Sequence, residues 1–237
     1  MMFDPLYMSI LLVTLVLSGT VSMLVKSRFA AGQKVRITSG LTGADVAKAI
    51  LMDAGITDVK VLVHQGFLSD HYNPLNKTLN LSKEVYYGQN ASAAGVAAHE
   101  VGHAIQHAQG YFPLWLRSFI VPAANIGSNL GPWLVILGII LMSAGRALGY
   151  SLAVVGVLLF AIATFFTLVT VPVEFDASSR AKKALARMDI VAQGREYNTV
   201  SDVLFAAGLT YVAAAISSIL QLFYWAYRAG LIGGRRD

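Results

Sequence analysis

Four stretches of the chain, residues 5–25, 118–145, 147–173 and 203–227, contain no Asp, Glu, Lys or Arg. Each reaches the roughly 20 residues that an α-helix needs to cross the hydrocarbon core of a bilayer. The rest of the composition points the same way. Of 237 residues, 56% are hydrophobic and 13% are charged, where an ordinary soluble domain is about 25% charged. A water-soluble core of this size cannot enclose that much apolar surface, so part of it must face lipid.

The expected fold class is a mainly α integral membrane protein with three or four transmembrane helices and a small α+β cytoplasmic module. The first three stretches read as spans. The fourth carries Thr210, Ser217, Ser218 and Gln221, which suits either a span or a helix packed inside the bundle. A cleaved signal peptide is not expected at the start, because Asp4 stands where a basic region would be and no Ala-x-Ala-type site follows.

Charge placement sets the orientation. Lys26, Arg28, Lys34 and Arg36 follow the first stretch, and Arg180, Lys182, Lys183, Arg187 and Arg195 follow the third. If 118–145 goes out and 147–173 returns after a turn around Arg146, both clusters fall on one face, and the positive-inside rule makes that face cytoplasmic. A crossing by 203–227 would leave Arg228, Arg235 and Arg236 outside, against the rule. The net charge of +5 is explained by topology, and no nucleic-acid partner is expected. The expected location is the plasma membrane, multi-pass, with lipid bilayer and a protein or peptide substrate as partners. The chain has no Cys, so disulfides and thiolate metal sites are excluded.

The expected organisation is a transmembrane helix in 1–25, a module in 26–117, a helical hairpin in 118–173, a cytoplasmic helix in 174–202, and an apolar helix with a basic tail in 203–237. Within 26–117, Thr42 is placed to cap a helix over 44–54 that Gly55 stops. Residues 59–63 and 78–81 read as short strands separated by the Asn73–Pro74 break, and the second could pair with an extended peptide. Residues 91–109, rich in Ala and free of Pro, predict a helix capped by Asn90 or Ser92.

That helix carries His99-Glu100-Val101-Gly102-His103. Residues four apart share a helix face, so the two imidazoles can reach one zinc ion at about 2 Å. Glu100 then projects toward the open coordination position as general base for a zinc-activated water. Three of the five His fall within nine residues on a helix that is otherwise small and apolar, where unpartnered His and Glu would be costly. His107 continues the spacing but lies about 6 Å further along the axis than His103, so it reads as a polar neighbour rather than a ligand. Gln106 and Gln109 stand where the metzincin pattern needs Gly and His, which excludes that class. For the third ligand the residues leave two candidates, Glu174 and Asp176, just past Pro172. A carboxylate where a span leaves the bilayer is expensive without a purpose.

The His99–His103 motif, the two spans after it and the string Val173-Glu174-Phe175-Asp176-Ala177-Ser178 resemble the YugP-like family of bacterial membrane zinc metallopeptidases. The likeness includes Leu68-Ser69-Asp70-His71-Tyr72-Asn73-Pro74 and Leu209-Thr210-Tyr211-Val212-Ala213-Ala214-Ala215, and so runs through nearly the whole chain. More distantly the chain resembles the HtpX and CAAX-prenyl proteases. The resemblance implies His99, His103 and Glu174 as ligands of one Zn2+ per chain, Glu100 as base, and a gluzincin-like site. Ser178 departs from the distant relatives, which carry Asp there, so a group supporting a ligand is altered. His71 or Tyr72 could donate to the oxyanion of the tetrahedral intermediate. Two other classes compete: a membrane protein whose zinc is structural or regulatory, without turnover, and a transporter built on Asn125, Asn129 and Gln221.

Overall fold

A computed structural model describes residues 4–66, 68–145 and 147–233. The expected turn at Arg146 and the basic tail at Arg235 and Arg236 lie outside the described residues. Among the described residues, seven helices and three strands follow in the order α1 (Pro5–Gln33), α2 (Gly43–Asp53), β1 (Lys60–His64), β2 (His71–Asn73), β3 (Thr78–Ser82), α3 (Lys83–Tyr86), α4 (Ala91–Ala108), α5 (Phe112–Ser143), α6 (Leu148–Arg187) and α7 (Arg195–Arg228). Each of the four long helices, α1, α5, α6 and α7, is long and apolar enough to cross a membrane. The fourth uncharged stretch, 203–227, therefore sits inside a helix of spanning length. Each of the four helices extends past its uncharged stretch at one end or both. They cut into two compact units, one of residues 1–19, 116–171 and 211–237, the other of 20–115 and 172–210.

The first unit is a helical bundle whose outer side chains, such as Leu12, Leu15 and Val16, are exposed as lipid-facing residues should be. Helices α5 and α6 pack backbone to backbone. A Cβ on Gly127 would sit 2.0 Å from the Leu159 carbonyl, and one on Gly138 would sit 2.5 Å from the Ala153 nitrogen. Small residues permit such approach where no hydrophobic force drives helices together in lipid. Asp4 accepts from the Leu6 amide at 2.9 Å ahead of Pro5, a favourable start for α1. Its other oxygen accepts from Arg228 at 2.8 Å and from the Tyr224 hydroxyl at 3.2 Å. Arg228, the residue that conflicted with the charge rule, is thus paired with an acid at the opposite end of the chain. Asn125 and Asn129 form no polar path. The Asn129 amide donates to the Asn125 carbonyl one turn back on the same helix.

The second unit surrounds α4. Asn90, not Ser92, caps this helix, its side chain accepting from the Ala93 amide at 3.0 Å; Ser92 is buried and donates to the Phe29 carbonyl at 2.7 Å. With Ala or Gly at nine of its positions, α4 can be enclosed on nearly every side. Helix α2 lies against it, begun by a Thr42–Asp45 capping box. The sheet order is β1-β3-β2, with β1 and β3 parallel and β2 antiparallel to β3. Strand β3 is therefore central and has no free edge for a peptide; the open edges belong to β1 and β2. The core joins Ile50, Leu79, Leu81, Val101, Leu185 and Val200 from all these layers.

Candidate metal centre

The site is set by how closely α4 approaches the end of α6. A Cβ on Gly102 would lie 2.5 Å from the Ala177 carbonyl, so only glycine permits this contact. The two neighbouring turns of α4 carry His99 and His103, and the facing turn of α6 carries Glu174. The imidazole rings are 4.8 Å apart and nearly perpendicular. Glu174 Oε2 lies 3.2 Å from His99 Nε2 and 3.4 Å from His103 Nε2. One potential ligand atom from each of the three residues falls within 4.8 Å of the others.

The residues fit a zinc ion. Two imidazole nitrogens and a carboxylate oxygen are the donor types such an ion takes, and bonds of about 2.0–2.1 Å in a tetrahedron put neighbouring donors roughly 3.3–3.4 Å apart. Glu174 is 1% exposed. A carboxylate buried that fully needs a cationic partner, and a metal ion or a protonated imidazole can provide it. Three protein donors leave one position open, as catalytic zinc sites require and closed structural ones do not.

Burial opposes a charged His103 ring, but its hydrogen bond with Glu174 and the charge of Glu100 outweigh this and raise its affinity for a proton. The same carboxylates favour a metal cation in that position. Asp70 is shifted upward too, first by burial and further by the nearby Glu100 charge, against hydrogen bonds from Ser82. Those bonds run from the Ser82 amide at 2.7 Å and its hydroxyl at 3.2 Å, and they fix the loop leading into β2.

Glu100 is buried, and its Oε2 accepts from the Tyr72 backbone amide at 2.9 Å. A donor spent on Glu100 is not spent on β3, so the open edge of β2 faces the glutamate. The Tyr72 ring runs along α4, its hydroxyl 2.8 Å from His107 Nδ1, which occupies His107 outside the ligand cluster. His71 lies next to Asn80, its register partner, with Nδ1 2.9 Å from the Ser69 carbonyl and Nε2 3.3 Å from the Asn80 amide. Successive strand residues face opposite sides, so the His71 and Tyr72 side chains diverge. Asp176 accepts from Gln106 at 2.8 Å and from Arg180.

The chain matches a family model described as "Putative neutral zinc metallopeptidase" over residues 7–230. The chain belongs to this family. It is also 43% identical over 217 residues to the "Putative membrane protease YugP" of Bacillus subtilis (strain 168), covering 92% of this chain and 93% of that one. No solved structure matches it.

Two features of this zinc-metallopeptidase-family site are not evident from the sequence. One is the Tyr72 amide, since a backbone donor leaves no residue signature. The other is Gln106, fully buried and bonded to His103. Its position three residues after His103, on a helix face of small apolar residues, was the available signal.

Proposed function

We propose that this protein is a membrane-bound, zinc-dependent endopeptidase of gluzincin-like type, holding one zinc ion per chain. Convergence of the His99, His103 and Glu174 ligand atoms within 4.8 Å, beside Glu100, carries the reading. The catalytic module comprises residues 26–117 and 174–202. The basic clusters around Lys26 to Arg36 and Arg180 to Arg195 support a cytoplasmic position for it.

His99, His103 and Glu174 would hold a zinc ion, which when bound would supply Lewis acidity and acidify a water. Glu100, beside these ligands, would act as the base that accepts a proton from the attacking water and passes it to the leaving amine. The Tyr72 amide holds Oε2 of the base and leaves its other oxygen for this transfer. For the oxyanion donor, His71 and Tyr72 are the candidates; loss of a true donor costs about 10²–10³ in kcat, and activity within a few-fold of wild type after truncation dismisses the residue concerned.

Because Glu174 directly follows the uncharged stretch 147–173, the substrates are membrane or membrane-proximal proteins. Equal cleavage of soluble and membrane-tethered forms of one sequence would count against that. The principal experiment compares zinc content and proteolysis in detergent-purified wild type and Glu100→Gln. Zinc in both with cleavage in the wild type alone supports the reading. Zinc in both with cleavage in neither, across unfolded and membrane substrates, favours a structural or regulatory metal site. A folded wild type without zinc overturns it.

A further inference from the structure

The amide of Gln106 is fully buried and joins three groups. Its Nε2 lies 2.8 Å from the Val173 carbonyl oxygen and 2.8 Å from Asp176 Oδ2. Its Oε1 lies 3.0 Å from His103 Nδ1. A carbonyl and a carboxylate can only accept. The NH2 group of Gln106 must therefore face α6, and its oxygen must face His103. An amide oxygen can only accept as well, so His103 Nδ1 has to carry the hydrogen. In the neutral ring this leaves the lone pair on Nε2, the atom that faces Glu174.

His99 is held differently. Its Nδ1 lies 3.0 Å from the Ser178 hydroxyl, and a hydroxyl can donate or accept. Either tautomer of His99 satisfies Ser178, whereas one tautomer of His103 satisfies Gln106. Gln106 also grips the carbonyl immediately before Glu174, so one side chain ties two ligand-bearing turns of different helices. Asp176 keeps the amide from flipping, because a flipped Gln106 would place an oxygen against that carboxylate.

We propose that Gln106 is a positioning residue that fixes His103 in the Nδ1–H tautomer and so presents the Nε2 lone pair to the metal, with Asp176 holding the Gln106 amide in register. The inference rests on His103 being a ligand, but its first test needs neither zinc nor turnover.

Metal-free Glu174→Ala, which lacks the carboxylate that otherwise faces His103 Nε2 at 3.4 Å and favours a proton there, is labelled with ¹⁵N-histidine and examined by long-range ¹H–¹⁵N correlation at alkaline pH, with the His103 signals identified by their loss on adding His103→Asn. The Nδ1–H pattern is expected; an Nε2–H pattern, or an even mixture, overturns the proposal. Apparent zinc affinity is then measured by chelator competition. Gln106→Met is expected to bind about 10–100-fold more weakly, the usual cost of losing such a support. Gln106→Glu/Asp176→Asn keeps an acceptor for Nδ1–H and restores a donor on α6, and is expected to return to within a few-fold of wild type. Wild-type affinity in Gln106→Met, or no recovery in a folded double variant, overturns the proposal. If the Gln106 variants do not fold, the tautomer in Glu174→Ala still decides it; if Glu174→Ala does not fold, the zinc affinities do. Absence of cleavage alongside the Nδ1–H pattern would count against the peptidase reading and leave this one standing.

Discussion

Glu174 is the residue on which the proposed metal centre depends most, because among its three ligand residues it alone adds negative charge to the two imidazoles. Glu174→Gln keeps the shape and removes that charge; zinc content after dialysis should fall close to zero, as measured by atomic absorption. Ser178→Ala should keep zinc but hold it about tenfold less tightly, as the loss of a group supporting a ligand does. Acidification should strip the metal, since His99 and His103 must be neutral to bind it. The sign follows from His103: its proton affinity is raised, so protons compete at a higher pH than at a free imidazole. Retention of zinc measured against pH should accordingly begin to fall above the ordinary histidine range. At this scale much of the site was legible. Helical spacing puts His99 and His103 together, and Glu100 follows from the motif. Choosing Glu174 over Asp176 needed the resemblance or the three-dimensional contact, since both lie on one short stretch. The Tyr72 amide and the Asp70–Ser82 bonds were not legible, because backbone partners far apart in sequence leave no pattern.

Among the elements, the α4–α6 contact is the most sensitive. Gly102→Val forces a branched side chain toward the Ala177 carbonyl, where even a Cβ would be 2.5 Å away. Overpacking of this kind costs roughly 1–3 kcal/mol, and it acts on the turn that carries His103. The variant should lose zinc and show a lower unfolding temperature, with Gly102→Ala between it and wild type. Gly19→Ala, where an added Cβ meets nothing within 4 Å, is the control and should leave both unchanged. Helix α4 was readable from its Ala-rich, Pro-free run and its cap, and α2 from Thr42 and Gly55. Strand β2 was not, because three residues, His71–Asn73, are too few to show alternation. Missing β2 also made β3 look like an edge. The long helices extend past their uncharged stretches because helix propensity tolerates Lys, Arg and Glu, whereas an uncharged-run criterion stops at the first charge.

For the whole molecule, the Asp4–Arg228 pair requires the start of α1 and the end of α7 to be neighbours, and if all four long helices cross the bilayer these two points lie on one side of it. A chain without Cys suits single-cysteine labelling in intact cells. Cysteines placed at Leu6 and Leu231 should react with an impermeant maleimide added outside. One at Leu75, 95% exposed, should react only after lysis. The opposite pattern would invert the orientation argued from the basic clusters.

Glu174 lies 75 residues after His99, and both membrane-length runs of the hairpin, 118–145 and 147–173, are made in between. During synthesis the base and the two histidines emerge first, while the carboxylate that completes the set is still to come. A ribosome-bound chain that has not yet threaded the hairpin into lipid has an incomplete set of donors. On the proposed reading, the donor set is completed only after both apolar runs of the hairpin have been made.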